Sequence, residues 1–182
     1  MRPFGKSMLL GGRTPKPGIL TTLDPAILNA ETALSFYNLR LSKVSGASVR
    51  SAFATRDATL VPTFAYWEVM NISGGAGVGL GFVDATRNPN AGLGDGLMSS
   101  TWSAAGAVAM MAVRQDLKKW WVGANGVWNT AGDPVTGSGG LAYGPSNIYP
   151  IVVVTNPGDT IEVNFGHFPF TYTPPAGSSA WG

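Results

Sequence analysis

The hydrophobic pattern along this chain has a period of two, not of three to four. Leu39-Arg40-Leu41-Ser42-Lys43-Val44 alternates apolar and polar residues, as a half-buried strand does. Val49 to Ala54, Phe64 to Asn71 and Thr160 to Phe165 repeat the pattern. In Tyr66-Trp67-Glu68-Val69-Met70-Asn71 the alternation predicts Tyr66, Glu68 and Met70 on one face, with Trp67 and Val69 on the other. Ala33 to Phe36 alternates too, so a strand is expected over 32–36. Asp24-Pro25-Ala26-Ile27-Leu28 predicts a short helical turn, with Asp24 as its cap and Pro25 at its first position.

Further along, Gly77-Val78-Gly79-Leu80-Gly81-Phe82-Val83 predicts a strand with Val78, Leu80 and Phe82 on one face and glycines on the other. Residues 84–100 are rich in turn formers and predict a long surface loop, with room for a short strand at 97–101. Ala107 to Val113 is continuously apolar and reads as a strand buried on both faces. Lys119 to Ala124 and Val127 to Asn129 flank Asn125-Gly126, whose two residues tolerate the positive φ angles of a tight hairpin turn. Residues 130–147 again favour turns, and Ile148 to Thr155 is a β-branched strand. Phe168 to Pro175 closes the chain as an extended tail. Ten to thirteen short strands and no long helix predict an all-β fold, a two-sheet antiparallel β-sandwich.

Composition fits this picture. The chain has 182 residues, enough for one domain, and 25 glycines and 13 prolines supply its many turns. Charged residues are only 12%, against about 25% in an average domain, which suits a protein that sits in an assembly or is secreted. There is no cysteine, so disulfides, thiolate metal sites and thiol catalysis are excluded. No apolar run reaches the ~18 residues of a membrane helix, and no continuous apolar stretch near the N-terminus predicts a secretory signal.

Charge divides the chain at residue 20. Residues 1–20 carry Arg2, Lys6, Arg13 and Lys16 without an acid, while residues 21–182 hold eight basic and ten acidic residues. The first segment, rich in proline and glycine, predicts a flexible basic arm suited to docking on an acidic surface; a solvated tail is the plainer alternative. Four cations supply few phosphate contacts, so nucleic acid is not the expected partner. The domain proper is expected over 21–182.

The motifs then carry a resemblance. Tyr66-Trp67-Glu68-Val69 followed by Gly77-Val78-Gly79 resembles an opening motif of the SPRY (B30.2-like) family, and Trp120 to Trp128 resembles its hairpin. Gly132-Asp133-Pro134, Thr136-Gly137 and Tyr149-Pro150 follow in the family's order. Val163-Asn164-Phe165-Gly166, then Phe170, Tyr172, Pro174-Pro175 and Gly177, resemble its close. Leu39-Arg40-Leu41 and Ser48-Val49-Arg50 resemble its first strands. One stretch departs from the family: before the hairpin stands Gly106 to Leu117, where the usual Gly-Asp turn is lost and Asp116 is the remaining acid. The Gly-Asp-Pro loop and the Pro-Pro-Ala-Gly ending look most like versions in bacteriophage and prophage virion proteins.

The resemblance implies a concanavalin-like jelly roll that serves protein–protein attachment without catalysis. It implies a structural accessory of a tailed-phage virion, such as a capsid decoration, cement or head-fibre protein held by its N-terminal arm. The virion, assembled in the host cytoplasm, would be its location. Its partners would be the major capsid protein or tail proteins, with further copies of the chain in a homo-oligomer. A tail-fibre module binding a host receptor or glycan is the alternative.

Candidate chemistry is sparse. His167 is the only histidine and has no Gly-x-Ser-x-Gly partner motif or metal-ligand companion. The glycines around 74–81 fit neither phosphate-loop template. Asp84, Asn88, Asn90 and Asp95 crowd one loop but lack calcium-loop spacing, and asparagine and aspartate are ordinary turn residues. Asp116, Asp133, Asp159 and Glu162 offer carboxylate pairs that no motif selects, and Glu68 reads as a hydrogen-bonded rim residue. No cofactor or metal is expected. Trp102, Trp120, Trp121, Trp128 and Trp181 are candidates for stacking or anchoring surfaces. Of the adjacent Trp120 and Trp121, alternation places one in the core and one exposed or under a partner. The candidate partner-binding residues are therefore Arg2, Lys6, Arg13, Lys16, Trp121 and Trp128.

Overall fold

The computed structural model describes residues 14–19, 21–74, 78–85, 87–90, 97–99, 105–128, 132–145 and 147–182. Arg2, Lys6, Arg13, Asp95 and Trp102 lie outside these residues. Thirteen strands are described: β1 (Thr32–Ser35), β2 (Arg40–Lys43), β3 (Arg50–Phe53), β4 (Phe64–Ser73), β5 (Gly79–Val83), β6 (Leu97–Ser99), β7 (Val108–Arg114), β8 (Lys119–Ala124), β9 (Val127–Trp128), β10 (Leu141–Ala142), β11 (Tyr149–Val154), β12 (Thr160–Asn164) and β13 (Ser179–Ala180). They form two sheets. The larger runs β1-β2-β12-β4-β7-β8-β10, with β9 added beside β8 and β13 beside β4. The smaller runs β3-β11-β5-β6. All pairings are antiparallel except that of β13 with β4.

The alternation read from the sequence decides what each sheet buries. Trp67 and Val69 of β4, Met111 and Val113 of β7, Trp120 of β8 and Ile161 and Val163 of β12 face inward from the large sheet. Leu80 and Phe82 of β5 and Val152 and Val154 of β11 meet them from the small sheet. Phe82 sits at the centre of this layer. Its ring lies 6.3 Å from Trp67, 5.7 Å from Trp120 and 5.5 Å from Trp181. The hairpin turn between β8 and β9 is as predicted, with Asn125 at φ 52° and Gly126 at φ 88°.

An ionic group joins the sheets at one side. The buried Lys43 ammonium of β2 and Arg50 Nε of β3 both reach the Glu31 carboxylate, the latter at 3.1 Å. Lys43 hydrogen bonding holds the Glu31 carboxyl below the usual range.

Two local expectations are corrected. Residues 24–28 form no helix. Asp24 N–H donates to Phe53 O at 2.7 Å, and its carboxylate takes the Ala26 N–H at 2.9 Å and Arg87 at 3.0 Å, so Asp24 does cap a turn at Pro25 and Ala26, but the turn does not continue into a helix. The strand expected over 32–36 stops at Ser35, because Phe36, Tyr37 and Asn38 all adopt positive φ, at 50°, 59° and 58°. Each such non-glycine residue costs about 1 kcal/mol or more. Long-range contacts hold the turn: Asn38 O accepts the Leu23 N–H at 2.9 Å, and the Phe36 ring stacks on Phe168 at 5.4 Å.

Phe82→Ala removes the centre of the aromatic layer and is expected to destabilise the domain by about 3–5 kcal/mol in urea unfolding. A loss below about 1 kcal/mol would show that Phe82 does not organise this core.

Candidate interaction surface

The outward face of β4 carries Tyr66, Glu68 and Met70, and the closing segment of the chain lies across it. Register sets this up: Asn164 of β12 stands opposite Glu68, and Met110 of β7 opposes it on the other side. Glu68 is 3% exposed, not the rim residue expected from sequence. Its Oε2 accepts the Thr171 N–H at 2.7 Å, and its Oε1 accepts the Tyr172 N–H and the Tyr66 hydroxyl, both at 2.8 Å. Burial first, and the adjacent Glu68 charge second, push the Tyr66 phenol far above its ordinary range, so it remains a donor.

Asn164 fixes the start of the same segment. Its Oδ1 accepts from Gly166 N at 3.0 Å and Phe168 N at 3.2 Å. Its Nδ2 donates to Phe168 O at 3.1 Å and Pro169 O at 3.3 Å. The Glu of the Tyr-Trp-Glu-Val motif and the Asn of the Asn-Phe-Gly motif are therefore neighbours in register and share one task, clamping residues 166–172 onto the sheet.

That clamp builds an aromatic surface. Phe170 meets the Tyr66 ring edge-on at 4.8 Å, and Trp128 does so at 6.4 Å. Phe64, Trp128, Phe170 and Tyr172 are half-buried over Tyr66, Met110, Ala112 and Trp121. Beside Trp128, Val127 is 66% exposed. Arg114 lies over Phe64 at 5.4 Å.

The tryptophan pair departs from the sequence expectation. Trp120 faces the core and Trp121 the opposite side, yet both are buried. Trp121 is covered by its own chain: its indole N–H donates to Ser138 O at 3.0 Å, and a Cβ on Gly140 would sit 2.6 Å from its ring. The cover is the loop that opens with Asp133, whose carboxylate accepts the Val135 N–H at 2.8 Å. No periodicity within β8 announces a lid supplied from residues 133–140. Trp181 is buried in the core, and Trp128 alone of the described tryptophans is part-exposed.

The acids considered for chemistry have structural partners. Glu162 pairs with Arg40 at 2.7 Å and Asp116 with Arg114 at 2.6 Å. Asp159 accepts from Thr155 N at 3.0 Å and Asn156 N at 2.7 Å, closing the β11–β12 turn. Asn88 accepts the Asn90 N–H at 3.0 Å, an ordinary turn contact. Among the described residues, no three His, Asp or Glu side chains gather as a metal group, and no helix is long and apolar enough to cross a membrane.

The described end of the arm rests on the closing segment. Lys16 N–H donates to His167 O at 2.8 Å, and Ile19 packs against the core, while the Lys16 side chain is exposed. His167 itself is 4% exposed, and desolvation lowers its pKa below the ordinary 6.5.

No family model and no curated protein matches the sequence. Solved structures do match the fold. The SPRY domain of human HERC1 superposes with a TM-score of 0.59 at 12% identity, covering 81% of this chain and 99% of that one. The TRIM65 PSpry domain gives 0.56 at 11% identity, covering 79% and 88%. The Neuralized NHR1 domain of Drosophila melanogaster gives 0.55 at 12% identity, covering 78% and 96%. The chain thus folds as an SPRY-like β-sandwich, and at such identities the likeness speaks of fold alone.

Replacing Glu68 by Gln turns one of its two acceptor oxygens into an N–H2, which then faces at least one of the three donors. It is expected to cost about 3 kcal/mol in denaturant unfolding, while Tyr66→Phe, which removes one donor, costs about 1 kcal/mol. Equal, small losses would contradict a carboxylate clamp. His167 predicts a pH effect. Its folded pKa is depressed, so its contribution is fully present above about 6.5 and is lost as pH falls through the lower folded value. Melting temperature should fall on that acid side more in the wild type than in His167→Gln; identical profiles would remove His167 from the account.

Proposed function

We propose that the chain is a non-enzymatic attachment module, a structural accessory of a tailed-bacteriophage virion of the capsid-decoration, cement or head-fibre kind. The observation that carries this reading is the arm. Arg2, Lys6, Arg13 and Lys16 bring four cations and no acid. The last described stretch of that segment, 14–19, is fastened to the sandwich at His167. A tether fixed at its base, with its remaining cations at the chain end, suits docking on an acidic neighbour such as a shell protein. The phage-like motifs Gly132-Asp133-Pro134 and Pro174-Pro175-Ala176-Gly177 support the setting. Occupation of Glu162, Asp116 and Asp159 in structural contacts supports a role without catalysis.

A second reading has its own observation. The part-exposed Trp128 and Tyr172, beside Val127, form an aromatic surface that suits stacking against a host glycan, as in a tail-fibre module.

The test is removal of residues 1–13, which leaves the Lys16–His167 contact in place. Particles assembled with the truncated chain should lack it, while its circular dichroism and melting remain those of the full chain. Loading at normal occupancy would refute attachment through the arm. In that event saturable glycan binding lost in Trp128→Ala would support the second reading.

A further inference from the structure

We propose that the groove between the base of the arm and the closing segment is a docking site for an extended peptide of a partner protein, apolar with one acidic residue. The groove has a volume of about 520 Å³. That lies within the roughly 300–1,000 Å³ of built ligand sites. Ile19, Phe168, Phe170 and Ala180 line it with apolar surface, His167 contributes a neutral ring, and Lys16 stands at its edge.

Three observations point to an occupant of this chemistry. The walls are held in place before anything binds: Asn164 fixes Phe168 and Pro169, and Glu68 fixes the segment just beyond Phe170. A preformed groove spares a ligand the cost of ordering it. Behind the wall, the Phe36 ring stacks on Phe168 from a turn of three consecutive positive-φ residues, a strained conformation of the sort that gathers at functional sites. Finally, among the described residues the charge at the groove is of one sign: Lys16 is the only charged side chain of these that lines it, is exposed, and makes no ion pair with another of them. An acidic residue on the partner answers that cation, and the apolar walls take its neighbours. The chain's own first thirteen residues, with Arg2, Lys6 and Arg13, carry the wrong sign for this place. This site is separate from arm-mediated attachment, since it uses the fastened base of the arm and not its end.

The test uses the full chain and two pools of fluorescein-labelled decapeptides, one with a central Asp or Glu flanked by Leu, Ile and Phe, the other with Lys at the centre. Fluorescence anisotropy should show saturable binding of the acidic pool and at least about tenfold weaker binding of the basic pool. Lys16→Glu, at an exposed side chain, should reverse that preference. Methyl resonances of Ile19 and Ala180 should shift on titration with the acidic pool, while those of Ile151 and Val153 on the far sheet stay still. The proposal is overturned by absence of saturable binding of the acidic pool, or by a preference unchanged in Lys16→Glu. It is equally overturned by methyl shifts confined to another face. Tighter binding of the basic pool to the wild type would assign the groove to the chain's own arm or a second copy's, and would also overturn it.

Discussion

A carboxylate withdrawn from water must find several donors, and Glu68 finds three: two backbone N–H groups of the closing segment and the hydroxyl of Tyr66 on its own strand. Much of the outer surface follows from this. Because the acceptor is buried and charged, residues 171 and 172 have one position on the sheet. Phe170 and Tyr172 are set over Tyr66 as a result, and Trp128 closes the other flank. Asn164, opposite Glu68 in register, holds the preceding residues, so one side of the groove near Lys16 has the same origin. Removal of the charge alone would leave the strands paired and the surface unfastened.

Beneath this clamp the sandwich has a second, apolar organiser. Phe82 reaches from the small sheet into a ring of Trp67, Trp120 and Trp181. The two sides of β4 thus do different work: Trp67 and Val69 join the sheets, while Tyr66 and Glu68 hold the tail. The same alternation in β8 sends Trp120 to the core and Trp121 outward, where the loop from Asp133 to Gly140 covers it.

Local pattern made much of the fold legible. The two faces of β4, the doubly buried β7 and the Asn125-Gly126 hairpin were readable because each rests on neighbours within a few residues. The order of the motifs carried the sandwich to an SPRY-like fold. What escaped depends on distant partners. Glu68 looked like a rim residue because its donors lie at 171 and 172. Trp121 looked available because its cover comes from a loop after the hairpin. Phe36 to Asn38 contain no glycine, and contacts with distant Leu23 and Phe168 help to hold them in positive φ. Asp24 carried the marks of a helix cap, and its carboxylate does accept the Ala26 N–H, but the turn it caps at Pro25 and Ala26 goes no further. The candidate groove had no signal in the sequence, since it forms where residues 14–19 meet 166–170 and Ala180.

The central claim is that a buried carboxylate fastens the closing segment as firmly as a strand. Amide hydrogen exchange of the native protein tests it at the two donors themselves. Thr171 and Tyr172 belong to no strand, yet their amides should be protected nearly as well as those of β4 and β12, opening only in unfolding that releases the sheet. Exchange at these two amides as fast as at an unbonded loop residue would contradict the account.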